Sequence, residues 1–194
     1  MLSHVKESIS LTWLIKKEMM MMEKRKVEVI AYDPMWHSLF NDESKRLRVI
    51  FIDNLVNIHH IGSTSIPNMS AKPVIDLLIE VKNISEVDEL NDEMTELGYI
   101  PKGENGIAER RFFLKGVIER SHHVHVFPHQ HQEVKRHLDF RDYMIAHPEE
   151  AKDYANLKEK LAKKYPEDIQ SYIEGKDAFI KEIDKRASEW RSPQ

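Results

Sequence analysis

Apolar and polar positions change period several times along this chain, and each change marks a predicted element. Val27 to Ala31 alternates as a short strand does, and Asp33-Pro34 then gives a helix start with proline at its first position. Trp36, Leu39, Phe40, Leu47, Ile50, Phe51 and Leu55 keep helical spacing. Ile58 to Ile61 reads as a brief strand, broken by Gly62-Ser63-Thr64-Ser65. After Lys72-Pro73, Val74 to Val81 is apolar almost throughout, the pattern of a strand central in a sheet. Asn83 to Ser85 caps a helix predicted over Glu86 to Leu97, which Gly98 ends in a left-handed conformation. Tyr99-Ile100 opens another strand, and Arg110 to Lys115 and His123 to Phe127 read as two strands joined around Gly116. From Val134 the chain is predicted helical, with breaks at His147-Pro148 and Tyr165-Pro166.

Strands in the first two thirds and helices in the last third predict one α+β domain over 27–190, a mixed sheet with flanking helices and a helical C-terminal part. Residues 1–26 read differently, with short apolar runs, four consecutive Met and then a charged patch. We read them as an N-terminal extension able to form an amphipathic helix through Val5, Ile9 and Trp13. Their apolar run falls short of the roughly 20 residues of a membrane span, and it lacks the small-residue cleavage site of a secretory signal.

Composition narrows the function classes. The 194 residues carry 29 Lys+Arg against 33 Asp+Glu, a net charge of −4, and include no Cys. A chain of this length can bury roughly 70% of its unfolded surface, so disulfide staples are unnecessary, and thiolate metal sites are impossible. A cytoplasmic address is expected, with no membrane partner. Slight acidity argues against an extended nucleic-acid partner, which needs a strongly basic face, but it leaves room for one small phosphate-bearing ligand. Histidine is the unusual component: six of eleven lie between His122 and His137.

Candidate chemistry gathers in four places. Gly62, Ser63, Thr64 and Ser65 follow a strand, where backbone N–H groups and hydroxyls can cradle a phosphate or simply cap a helix. Asp76 is a carboxylate in an apolar strand and needs a cation, a metal or several donors; Glu80 shares its face. The structural alternative pairs Asp76 with Arg110, Arg111 or Lys72. His123 and His125 share a strand face and can supply metal ligands or substrate-orienting donors. Arg110, Arg111 and Arg141 suit bidentate contact with phosphate. The mixed charges of Lys158 to Lys164 and Lys176 to Lys185 read as solvated surface, and Tyr154, Tyr165, Tyr172 and Phe179 as core.

In order, Tyr32-Asp33-Pro34 with Trp36 and Phe40, His60 to Pro67, and Ala71 to Leu78 resemble the GrpB family of the nucleotidyltransferase superfamily. The resemblance continues through Arg110 to Phe113, His122 to Val126, Phe140 to Tyr143 and Tyr165 to Asp168, spanning about Val27 to Ile183. It implies a nucleotidyltransferase-like sheet in which a Gly-Ser turn, here Gly62 and Ser63, holds a nucleoside triphosphate. It also implies a pair of magnesium-binding carboxylates on the next strand, of which Asp76 matches the first. The second position is Leu78, and the later strand presents histidines in place of a third carboxylate, so the set carries less negative charge than two-magnesium transfer uses.

Three functions are expected in competition. The first is nucleotidyl transfer to an acceptor, with Asp76, Glu80, His123 and His125 catalytic and magnesium as the family-type cofactor. The others are a nucleotide- or anion-binding module without the chemistry, and a hydrolase holding one transition metal on Asp76, His123 and His125. The phosphate-binding set would be Gly62 to Ser65, Lys72, Arg110, Arg111 and Arg141.

Overall fold

The computed structural model describes residues 26–117 and 119–192; the predicted N-terminal helix lies outside them. Helix α1 (Met35–Ile50) leads through a turn into β1 (Leu55–Ile61), and a 3₁₀ turn (Ser63–Ser65) precedes β2 (Ile75–Val81). A 3₁₀ helix (Ile84–Leu90) and α2 (Asn91–Glu96) follow, then β3 (Tyr99–Pro101), β4 (Arg111–Lys115) and β5 (His122–Pro128). Three helices complete the chain: α3 (Gln132–Ala146), α4 (Pro148–Lys164) and α5 (Ile169–Arg191).

The sheet order is β1-β2-β5-β4-β3. Only β2 and β5 pair in parallel, and the other neighbours are antiparallel, giving the expected mixed sheet. Being second in the order and covered on both faces, β2 matches its apolar sequence. One face, carrying Ile58, Leu77, Ile79, Val124 and Val126, packs against Trp36, Leu47, Val87 and Met94 of the helices. On the other, Ile61, Leu78 and Phe127 pack against Val134 of α3. A third cluster joins α3, α4 and α5 to Ile66 and Met69 of the long β1–β2 connection.

Three expectations change in detail. Val27 to Ala31 forms only one bridge, Ile30 to Ala71, and the chain there is held to the C-terminal part by a hydrogen bond from the Val27 amide to the Pro166 carbonyl. Leu55 opens β1 and does not extend α1. The helix predicted from Glu86 is a 3₁₀ helix continued by one short α segment; Asn83 caps it by accepting from the Ser85 amide. Gly98 ends that segment at φ +90°, as its position predicts.

Candidate functional site

Strand register builds the site. Antiparallel pairing sets Ile61, the last residue of β1, opposite Asp76, so the chain turns at Gly62 beside that carboxylate. Parallel pairing sets His123 opposite Asp76 from the other side. Gly62 takes φ +69°, and a Cβ there would stand 2.5 Å from Asp76 Oδ2. Glycine is therefore required twice, for the left-handed backbone and for the approach of the carboxylate.

His123 Nδ1 lies 3.0 Å from Asp76 Oδ1. Burial alone would raise the Asp76 carboxyl, but the His123 hydrogen bond, with the charges of His123, His125 and Lys72, outweighs it and holds the group below the usual carboxylate range. An ionised carboxylate can only accept, so Nδ1 carries the proton toward Asp76, and Nε2 keeps its lone pair when the ring is neutral. Nε2 is buried with no hydrogen-bond partner among the described residues.

Gly62, Ser63, Thr64, Lys72, Asp76 and His123 line one cavity of about 300 Å³. Its remaining wall comes from the C-terminal helices: Tyr154 and Lys158 of α4, and Tyr172, Ile173 and Lys176 of α5. Lys158 is only 2% exposed, and its Nζ is buried without a hydrogen-bond partner among the described residues. Burial, then the neighbouring charge of Lys176, lowers its ammonium to about 7. Lys176 falls to about 8 through burial and Lys72, with Asp76 acting in the opposite sense. Each ammonium stands over a tyrosine ring, Lys158 at 4.6 Å from Tyr154 and Lys176 at 4.5 Å from Tyr172. A larger hollow of about 510 Å³ lies across the 66–70 loop, against α4, but holds none of these groups.

Comparison with known proteins agrees with the fold. Residues 26–186 match the GrpB protein family. The chain belongs to the GrpB family. It is 51% identical over 168 residues to the UPF0157 protein YqkA of Bacillus subtilis, which covers 87% of this chain and 49% of that protein. The chain thus spans about half the length of that relative. The crystal structure of conserved protein GrpB from Enterococcus faecalis superposes with a TM-score of 0.82 at 43% identity, over 84% of this chain and all of that one. More distantly, a dephospho-CoA kinase of Mycolicibacterium paratuberculosis is 24% identical over 190 residues, 84% of this chain and 46% of that protein.

Within this GrpB fold, several residues selected from sequence lie elsewhere. Glu80 shares the face of Asp76 but sits at the far end of β2, where Oε1 meets His59 Nε2 and Oε2 meets His129 Nδ1, both at 2.7 Å. Asn57 Nδ2 adds a third contact at 3.2 Å. Although burial opposes it, these donors hold the Glu80 carboxyl below its usual range. His125 is not on the cavity wall; its ring packs 4.8 Å from Phe112 and 5.6 Å from His137. Desolvation keeps His125 neutral, near 3. The Ser65 hydroxyl is used inside the turn, donating to the Gly62 carbonyl at 2.6 Å.

None of the three arginines lines the cavity. Arg110 is buried, with Nε and Nη2 donating to the Glu104 and Asn105 carbonyls and the guanidinium over Phe112, which fastens the preceding loop. Arg111 forms a two-pronged pair with Asp88. Arg141 donates to the His60 carbonyl and pairs with Asp142.

The metal expectations meet the same geometry. Among the described residues no three His, Cys, Asp or Glu side chains converge as a metal-holding group. Leu78, where the resemblance implied a second carboxylate, is fully buried with Ile61, Phe127 and Val134. One Asp already bound to a histidine does not fit the all-oxygen donor set of a two-magnesium centre.

Lys158 and Lys176 were not foreseen as site residues. Their signal is a repeated spacing, Tyr154-x₃-Lys158 and Tyr172-x₃-Lys176, which puts a tyrosine and a lysine on one face of each helix.

Proposed function

We propose that the cavity binds a small phosphate-bearing ligand, a nucleotide in the first instance, and that Asp76 and His123 serve a group transfer there of the nucleotidyltransferase kind. The observation that carries the reading is the convergence of the Gly62-Ser63 turn, the Asp76–His123 pair and basic side chains on one hollow of ligand size. Ser63 offers its hydroxyl to the phosphates, whereas the Thr64 hydroxyl is buried and paired with His60 Nε2 at 3.0 Å. Asp76 fixes the His123 tautomer and orientation, leaving Nε2 as the base for the proton of an attacking hydroxyl. The likeness to part of a dephospho-CoA kinase supports a role near nucleotide-bearing small molecules. No step is routed through magnesium, because the donor set does not fit it.

A second reading, a nucleotide-binding module without transfer, is favoured by one observation, the apolar burial of Leu78 where a nucleotidyltransferase site would use a second carboxylate. Thermal-shift titration with each nucleoside triphosphate, with and without magnesium, tests the shared part. Ligand at 100 times Kd stabilises by about 2.7 kcal/mol, or roughly 5–10 °C in a domain this size. If no triphosphate moves the midpoint, the nucleotide site is refuted. Pyrophosphate release separates the two readings: transfer predicts release that Asp76→Asn abolishes while binding persists, and the binding module predicts none.

A further inference from the structure

We propose that Lys72, Lys158 and Lys176 replace metal ions as the charge partner of the ligand, so that the cavity takes a run of phosphates in its metal-free form. The inference rests on the phosphate-site reading above and concerns what neutralises the anion. Three observations carry it.

First, among the described residues Asp76 is the one carboxylate lining the cavity, already bound to His123, and Leu78 is withdrawn into apolar packing where a second metal ligand would stand. Second, three lysines line the same hollow from separate segments, Lys72 from the loop before β2, Lys158 from α4 and Lys176 from α5. Third, the Lys158 ammonium is buried without a hydrogen-bond partner among the described residues. An uncompensated buried charge is costly and is kept where a ligand supplies the missing partner.

The groups facing Lys158 are Tyr154 and Glu159 of its own helix, Tyr172 and Lys176 of α5, Lys72 from the loop, and Asp76 and His123 at the sheet. Burial and the charge of Lys176 oppose its protonation, and Glu159 favours it. An arriving polyphosphate reverses that balance, so binding near neutral pH draws protons onto Lys158 and Lys176.

Isothermal titration of the full chain with inorganic triphosphate and with ATP, in EDTA and then in excess magnesium, tests the inference. Both probes are expected to bind in EDTA at least as tightly as with magnesium. Lys158→Met is expected to weaken them by about tenfold or more, the loss of one charge-assisted contact. The same variant should raise the melting midpoint of the ligand-free protein at pH 7, because it removes an unpaired buried ammonium. Repeating the titration in two buffers of different ionisation enthalpy should show proton uptake by the wild type that Lys158→Met reduces.

Binding of ATP only with magnesium overturns this inference and leaves the nucleotide site standing. Unchanged affinity in a folded Lys158→Met protein also overturns it. If neither probe binds under either condition, the phosphate-site reading fails with it.

Discussion

Asp76 and Glu80 lie on one face of the same strand, each hydrogen-bonded to histidine, and their surroundings differ in one respect. Glu80, its side chain 6% exposed, spends both oxygens on His59, His129 and Asn57. Asp76, at 27%, gives one oxygen to His123 and turns the other toward Gly62 at the edge of a cavity that Lys158 lines with a buried ammonium lacking a hydrogen-bond partner among the described residues. A saturated cluster braces the fold, whereas an incomplete one is available to a ligand. Residue type and spacing are nearly the same at the two ends, so the difference lies in how many partners each carboxylate meets.

The strongest way to break the comparison is between the two ends. Leu78→Asp, which supplies the second carboxylate that a nucleotidyltransferase site would use, should cost on the order of 5 kcal/mol, because it puts an unpaired charge among Ile61, Phe127 and Val134. Chemical denaturation would check it. A stable Leu78→Asp protein would mean that this layer is wetter than its packing indicates.

Gly62→Ala should follow at about 3 kcal/mol, roughly 6–12 °C in melting midpoint, since the new methyl meets both a left-handed backbone and Asp76 Oδ2. It should also abolish any nucleotide-induced shift. At the other end, Glu80→Ala leaves three partly exposed partners unpaired and should cost about 1–2 kcal/mol, with the nucleotide response intact. If that response were lost, the two ends would be one site.

Acid sharpens the comparison. His60, His125 and His137 are held neutral by burial, at about 4, 3 and 3. Their folded values lie below the unfolded value near 6.5, so the unfolded chain binds protons first. Their stabilisation is complete above about pH 6.5 and is lost as pH falls toward about 4 for His60 and about 3 for His125 and His137. Asp76 and Glu80, also depressed, keep theirs above about pH 4 and lose it at lower pH. Melting midpoints should therefore fall from pH 6.5 downward, with a slope of at most about 1.4 kcal/mol per pH unit for each such histidine. His125→Phe should flatten the part above pH 4. An unchanged slope would show that His125 is hydrated. Smallest of all, Arg111→Ala removes a surface pair with Asp88 and should cost about 0–1 kcal/mol without touching ligand response.

Much of the fold was legible because periodicity is a local consequence of backbone geometry. Val74 to Val81 reads as a central strand from its apolar run, and His147-Pro148 marks the α3–α4 break through the missing N–H of proline. Val27 to Ala31 fails because alternation over five residues is too weak without a neighbouring strand to pair along its length. In the candidate site, Gly62, Ser63, Asp76 and His123 were legible as residue types that a folded chain rarely places in these patterns without a reason. Arg110 and Arg111 were selected on the same chemistry, but their partners at Glu104, Asn105 and Asp88 come from outside the strand.

By itself, the sequence determined the order of elements, the glycine turn after β1, the aspartate within the apolar β2 and membership of the GrpB family, since these are carried by short spacings and ordered motifs. Tertiary structure alone decided that β5 would lie parallel beside β2 and bring His123 to Asp76. It also decided that Glu80 would be consumed by His59 and His129, and that Lys158 and Lys176 would be drawn from the helices into the cavity. The reason is that charge on a helix looks solvated in any local window. Only packing of α4 and α5 over the sheet shows which lysines lose their water.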